Sequence, residues 1–156
     1  MPNLDFLGRH PHFRRVHDYL QAKAPPGQLP GRQHIEPMEL RDVLPYVMLV
    51  DVLPQPQARP RYRIRLVGTQ VAAVQGEDAT GKYVEQVLDK GTDVIAAYGE
   101  ILVTRQPQHR SGMVATTGRE HVNYERVAFP LATDGEHVDM LLFVFAIEAP
   151  KPAPRA

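Results

Sequence analysis

Residues 61–82 read RYRIRLVGTQVAAVQGEDATGK, and this stretch decides the fold. Arg61 to Val67 alternates, with Tyr62, Ile64 and Leu66 on one face and three arginines on the other, which is the period of a strand. Gly68-Thr69 ends that strand, Thr69 to Val74 predicts a short apolar helix, and Thr80-Gly81-Lys82 supplies a second turn.

Upstream, Pro11 to Ala24 reads as an amphipathic helix with Phe13, Val16 and Leu20 on one face, stopped by Pro25-Pro26-Gly27. Its apolar stripe packs on a sheet or on a partner chain. His12 and His17 lie about 140° apart around such a helix, so they diverge and do not suit a metal. A short helix follows with Glu36 at the cap, Pro37 in the first turn, and Ile35 and Leu40 placed as a hydrophobic staple. It must stop before Pro45. Tyr46 to Leu53 is a first strand, apolar on both parities apart from Asp51, and the proline-rich segment Pro54 to Pro60 reads as a loop. Asp51 can pair with an arginine of the next strand, so Arg65 has two readings, a structural ion pair or a ligand contact.

Downstream, Tyr83 to Leu88 and Thr92 to Arg105 predict helices, the second with Ile95, Tyr98, Ile101 and Leu102 on one face. His109 to Thr117, Val122 to Leu131 and His137 to Glu148 predict strands, the last two joined by a hairpin at Asp134-Gly135. The last strand is apolar on both faces, so something covers the outer face of the sheet. The first helix, from this chain or a partner, is the candidate. The whole is an α+β arrangement divided into N-terminal flanking helices (1–45), a core (46–148) and a disordered proline-rich tail (149–156).

Lys plus Arg and Asp plus Glu are 18 each, so no net field draws nucleic acid or an anionic membrane. The basic runs RRVHDYLQAK and RPRYRIR read as solvated surface. Absence of cysteine removes disulfides, thiolate zinc sites and cysteine nucleophiles. The N-terminus has no signal-peptide pattern, and the longest apolar run, Met140 to Ile147, is too short to span a bilayer, so the expected compartment is the cytosol. No GxGxxG, P-loop or HExxH pattern occurs.

Arg65, Leu66, Gly68, Thr69, Gly76, Thr80, Gly81 and Lys82 resemble the motif of the bacterial stand-alone PAS subfamily, an arginine-bearing strand ending in Gly-Thr and followed by Thr-Gly-Arg/Lys. The Leu-Pro, Ile-x-Pro and Leu-Pro run before the first strand is similar too, which extends the likeness from about Tyr19 to about Ile147. Ile64 departs from the pattern, where an aromatic is usual. The resemblance implies a five-stranded antiparallel sheet in the order 2-1-5-4-3 with helices on one face, and a small molecule held between sheet and helices. Candidates to line that space are Tyr83, Tyr98, Met113, Tyr124 and Phe143, with Arg65 and Thr69 as polar anchors. Which cofactor or ligand is bound stays open. Without cysteine, a flavin or chromophore held through a cysteine adduct is excluded. Haem sensors of the superfamily often use a histidine on the long helix, and Thr92 to Arg105 has none, which disfavours that mode.

The expected function is that of a non-catalytic sensory or regulatory domain acting through a partner protein or a homodimer formed by the first helix. Two other readings stand beside it. One is a ligand-free interaction module of the same fold, to be told apart by cavity volume: a filled core leaves few voids, a ligand site about 300 Å³ or more. The other is a small cavity enzyme using an acid–base pair drawn from His109, His121, Glu125, His137 and Asp139, which no spacing ties together.

Overall fold

The computed structural model of the chain describes residues 3–87, 91–115, 120–148 and 151–152. In chain order these form helix α1 (Pro11–Lys23), strands β1 (Val47–Gln55) and β2 (Ala58–Val67), and helices α2 (Thr69–Gln75), α3 (Val84–Val87) and α4 (Gly91–Thr104). Strands β3 (Gln108–Ala115), β4 (Glu120–Leu131), β5 (Met140–Ile147) and the two-residue β6 (Lys151–Pro152) follow. All pairings are antiparallel and the main path runs β2-β1-β5-β4-β3, the order that the resemblance implies. Residues 151–152 pair with His121 and Glu120, and the rest of the segment 149–156, expected to be a disordered tail, lies outside the described residues.

The central strand has two apolar faces because it separates two cores. On the outer face Met140, Leu142 and Val144 meet Val127, Phe129 and Leu131 of β4 and Phe13, Val16, Tyr19 and Leu20 of α1. On the inner face Leu141 and Phe143 meet Met48, Val50, Tyr62, Ile64, Tyr98 and Ile101. The cover over the outer face is therefore this chain's own first helix. Val16 is fully buried and Leu20 is 2% exposed, so the stripe nominated for a homodimer contact is used within the chain. Local chemistry starts α1 where it does. His10 caps it by accepting from the His12 amide at 3.1 Å, and Pro11 fills the first turn. The Tyr19 hydroxyl ties α1 to the following segment, donating to Glu39 and accepting from the Glu36 amide, both at 2.9 Å. Glu36 does cap the next turn, Pro37–Leu40, which is a 3-10 helix.

The glycine-rich stretch explains itself sterically. A Cβ on Gly68 would lie 2.4 Å from the Leu44 carbonyl oxygen and 2.5 Å from that of Pro45, so only glycine lets the chain pass there. Gly76 takes the left-handed conformation (φ 84°) that ends α2. Gly81, with φ 90°, donates to the Ile64 carbonyl at 2.7 Å, while the Ile64 amide donates to Lys82 at 2.8 Å. The Thr80-Gly81-Lys82 turn thus closes against the free edge of β2.

Three expectations change. Pro54 to Pro60 is not a loop: β1 and β2 run through it, pairing Gln55 with Ala58 around a turn in which Gln57 has φ 54°. Prolines are tolerated there because β2 is an edge strand and the register is interrupted beside Pro54. A second irregularity pairs Leu49 with Leu66 but Val50 with Ile64, leaving Arg65 as the extra residue. The bulge reverses the parity after Ile64, so Val67 packs in the inner core and Leu66 turns outward, 40% exposed. Finally, Asp134-Gly135 lies inside a connection between β4 and β5 longer than a two-residue hairpin, and β5 begins at Met140. Asp134 Oδ1 accepts from the amides of Glu136 and His137, which curls the backbone away from a ladder.

Candidate ligand cavity

Between the sheet and helices α2 and α4 lies a cavity of about 160 Å³. Met48, Phe143, Phe145 and Ile147 form its sheet side, with Tyr124 and Arg126 from β4 and Arg110 and Ser111 from β3. Val71, Val74 and Gln75 of α2 and Val94 and Tyr98 of α4 close the helical side. The volume is about half the lower limit of drug-sized ligand sites, and well above a single water.

The polar groups are few and well supported. Arg126 is 6% exposed; Nη1 donates to the Gln108 carbonyl at 2.9 Å and Nη2 to Gln108 Oε1 at 3.0 Å. Gln108 is itself fixed by donating through Nε2 to the Ala97 carbonyl of α4 at 3.0 Å. The guanidinium also lies 5.3 Å from the Phe143 ring centroid. Burial pushes its pKa down to about 10, so it remains cationic at neutral pH. Burial raises the Tyr98 phenol to about 12, keeping it protonated. Tyr98 packs edge-on to Tyr62 at 5.2 Å and against Phe143 at 5.0 Å. Tyr124 lies over Gly112, where a Cβ would come within 2.6 Å of the phenol oxygen. Gln75 Oε1 is buried without a hydrogen-bond partner.

Of the residues nominated from sequence, Tyr98, Tyr124 and Phe143 line this cavity. Arg65 does not. It pairs with Asp51 at 3.3 Å, beside Arg63 at 3.7 Å. Thr69 is an exposed residue in the first turn of α2. Tyr83 bridges to Arg63 through its backbone and carries the Arg61 guanidinium 3.4 Å over its ring. Met113 is 61% exposed and lines a separate surface groove with Arg9, His10 and Tyr124. Sequence reasoning missed Arg126, Arg110 and Gln75. Arg126 shares strand parity with Tyr124, which was nominated, and that was the available signal.

The acid–base candidates also acquire positions. His109 Nε2 lies 2.7 Å from Glu125 Oε1, and Arg9 hydrogen-bonds the same oxygen. These contacts hold the Glu125 carboxyl below its ordinary range, the Arg9 bond contributing most. Phe6 stacks on the His109 ring at 5.7 Å, so the trio fastens the N-terminal segment to the outer face. His137 pairs with Asp134 at 2.8 Å on the surface, Asp139 accepts from the Thr133 amide at 3.3 Å, and the side chain of His121 lies outside the described residues. Among the described residues no group of three or more His, Cys, Asp or Glu could hold a metal ion.

Residues 8–145 match the PAS domain family. Among solved structures, the Rhodobacter sphaeroides LOV protein is similar at 11% identity and a TM-score of 0.49, covering 86% of this chain and 66% of that one. The RsLOV d2 variant is similar at 12% identity and 0.49, covering 88% and 67%. No curated protein matches the chain.

Proposed function

Because the chain belongs to the PAS domain family, we propose that it is a sensory or regulatory domain holding a small molecule between its sheet and helices α2 and α4. The single observation that carries this reading is the cavity itself, which joins apolar walls to the buried guanidinium of Arg126. Removing a cation from water is costly, and among the described residues no carboxylate pairs with Arg126 to offset that cost. The domain acts without catalysis of its own. In support, no His, Asp or Glu lines the cavity among the described residues, and the Glu125–His109 pair serves an ion-pair web on the other face. Output passes to a partner protein or a second copy of the chain. The cytosol is the proposed compartment; among the described residues no helix is long and apolar enough to cross a membrane.

A ligand-free interaction module is the second reading, favoured by the modest volume of about 160 Å³. Native mass spectrometry of the purified chain, followed by denaturation and identification of released small molecules, separates the two. A stoichiometric molecule whose removal lowers thermal stability supports the sensor. A chain that carries nothing, and gains no stability from a metabolite library at millimolar concentration, refutes it.

A further inference from the structure

Five arginines of the described structure have acidic partners: Arg9 with Glu125, Arg15 with Asp42, Arg61 with Glu85, and Arg63 and Arg65 with Asp51. The two at the cavity differ. Among the described residues Arg126 donates to Gln108 alone, and Arg110 reaches only the Asp93 carbonyl, at 3.4 Å. They are also directly opposite one another on β4 and β3, and both line the cavity. Like charges in that position repel, and burial of one strengthens the repulsion. Nothing on the protein side neutralises them among the described residues. Gln75, on the same lining, has a buried amide oxygen without a hydrogen-bond partner; rotating that amide presents two N–H donors in its place.

The missing component is an anion, and the remaining walls limit which kind. Val71, Val74, Val94, Phe145 and Ile147 are apolar, and about 160 Å³ holds roughly five water volumes. A bare inorganic anion leaves those walls wet. A short carboxylic acid satisfies both regions, with a planar head that matches a guanidinium fork and a tail that covers the valines. We propose that the cavity binds a small carboxylate with a short apolar tail, its head held between Arg126 and Arg110. This rests on the sensor reading above.

The test compares butyrate with butyramide, and benzoate with benzamide, by calorimetry and ligand-observed NMR on the full chain, with inorganic phosphate and sulfate as controls. At least one acid should bind, with its amide weaker by about tenfold or more, the usual worth of a charge-assisted hydrogen bond. Arg110→Gln should weaken the acid by a similar factor while leaving circular dichroism unchanged, and Arg126→Gln should abolish binding. Should Arg126→Gln fail to fold, the exposed Arg110 and the acid–amide ratio decide. Amides that bind as well as acids overturn the inference and leave the sensor reading standing. So does phosphate or sulfate binding at least as tightly as the acids, or a neutral molecule recovered from the native protein. No binding by any of these, and none found in the native protein, overturns both.

Discussion

Replacing Gly68 or Gly99 with alanine should move stability in opposite directions. Gly68 has φ −65° and ψ 154°, a conformation any residue adopts, so its requirement is purely one of space. An added Cβ would sit 2.4 Å from Leu44 O, 2.5 Å from Pro45 O and 2.6 Å from Pro45 C. All three are backbone atoms in the turn that feeds β1, so relief means shifting Leu44–Tyr46. That shift strains the Gly68 N–H bond to Val47 O, now 2.7 Å. Overpacking of this kind costs about 1–3 kcal/mol and a weakened hydrogen bond about 1, while alanine recovers about 0.4–1 by restricting the unfolded chain. The net loss is about 1–3 kcal/mol. Gly99 lies within α4 and a Cβ there meets nothing within 4 Å. Alanine at that position should gain about 1 kcal/mol from helix propensity. Urea unfolding followed by circular dichroism reads both, the midpoints separating by about 1 M or more at ordinary m-values. A Gly68→Ala protein at least as stable as the parent would refute the claim that close backbone approach selects glycine in this motif.

Leu20→Ala should cost about 2–5 kcal/mol in the same assay, because its side chain is 2% exposed against the chain's own sheet. Unchanged stability with an altered sedimenting mass would return α1 to the interface role. Arg65→Gln should cost no more than about 1 kcal/mol and leave butyrate affinity within about twofold, since Arg65 is half exposed, Arg63 still pairs with the buried Asp51, and the pair lies away from the cavity. Carboxylate affinity that falls with this variant would contradict the placement. His137 should titrate above its ordinary value, chiefly through its hydrogen bond to Asp134, whose own pKa is lowered to about 2. The His137 contribution to stability is present at low pH and lost as pH rises through its folded value; that of Asp134 is present above about 3.8 and lost as pH falls towards 2. NMR titration of Asp134→Asn should bring His137 back down, and an unmoved histidine would show the contact is absent in solution.

Strand parity made the two-faced β5 legible, and the helical period put Tyr98 on the apolar face of α4, whereas the nomination of Tyr98 and Phe143 as cavity lining came from the family resemblance. Parity failed where a bulge intervened. Nothing in RIRLV announces that Arg65 is the extra residue, so Leu66 and Val67 were assigned to the wrong faces. The Gly-Thr and Thr-Gly-Lys signals were legible as turns. Their prominence also drew Arg65 and Thr69 into the candidate site, whereas Arg65 pairs with Asp51 across the sheet and Thr69 is exposed at the start of α2. Arg126 was hidden by its type, since an arginine on a strand is ordinarily solvated. Its burial depends on α4 and Gln108 arriving from elsewhere in the chain. Register across β3 and β4, which opposes Arg110 and Arg126, is set by tertiary pairing that local sequence does not encode.

The two cores share β1, β4 and β5, separated only by the thickness of one sheet. Loss of α1 would bare Val127, Phe129, Leu142 and Val144 to water, and the strands that lose that cover are the ones that floor the cavity. Melting should therefore be a single cooperative event, with no state in which the inner half survives the outer. A truncation starting at residue 46 should yield an aggregating chain rather than a smaller domain, which makes the first helix a condition of folding and not a detachable appendage.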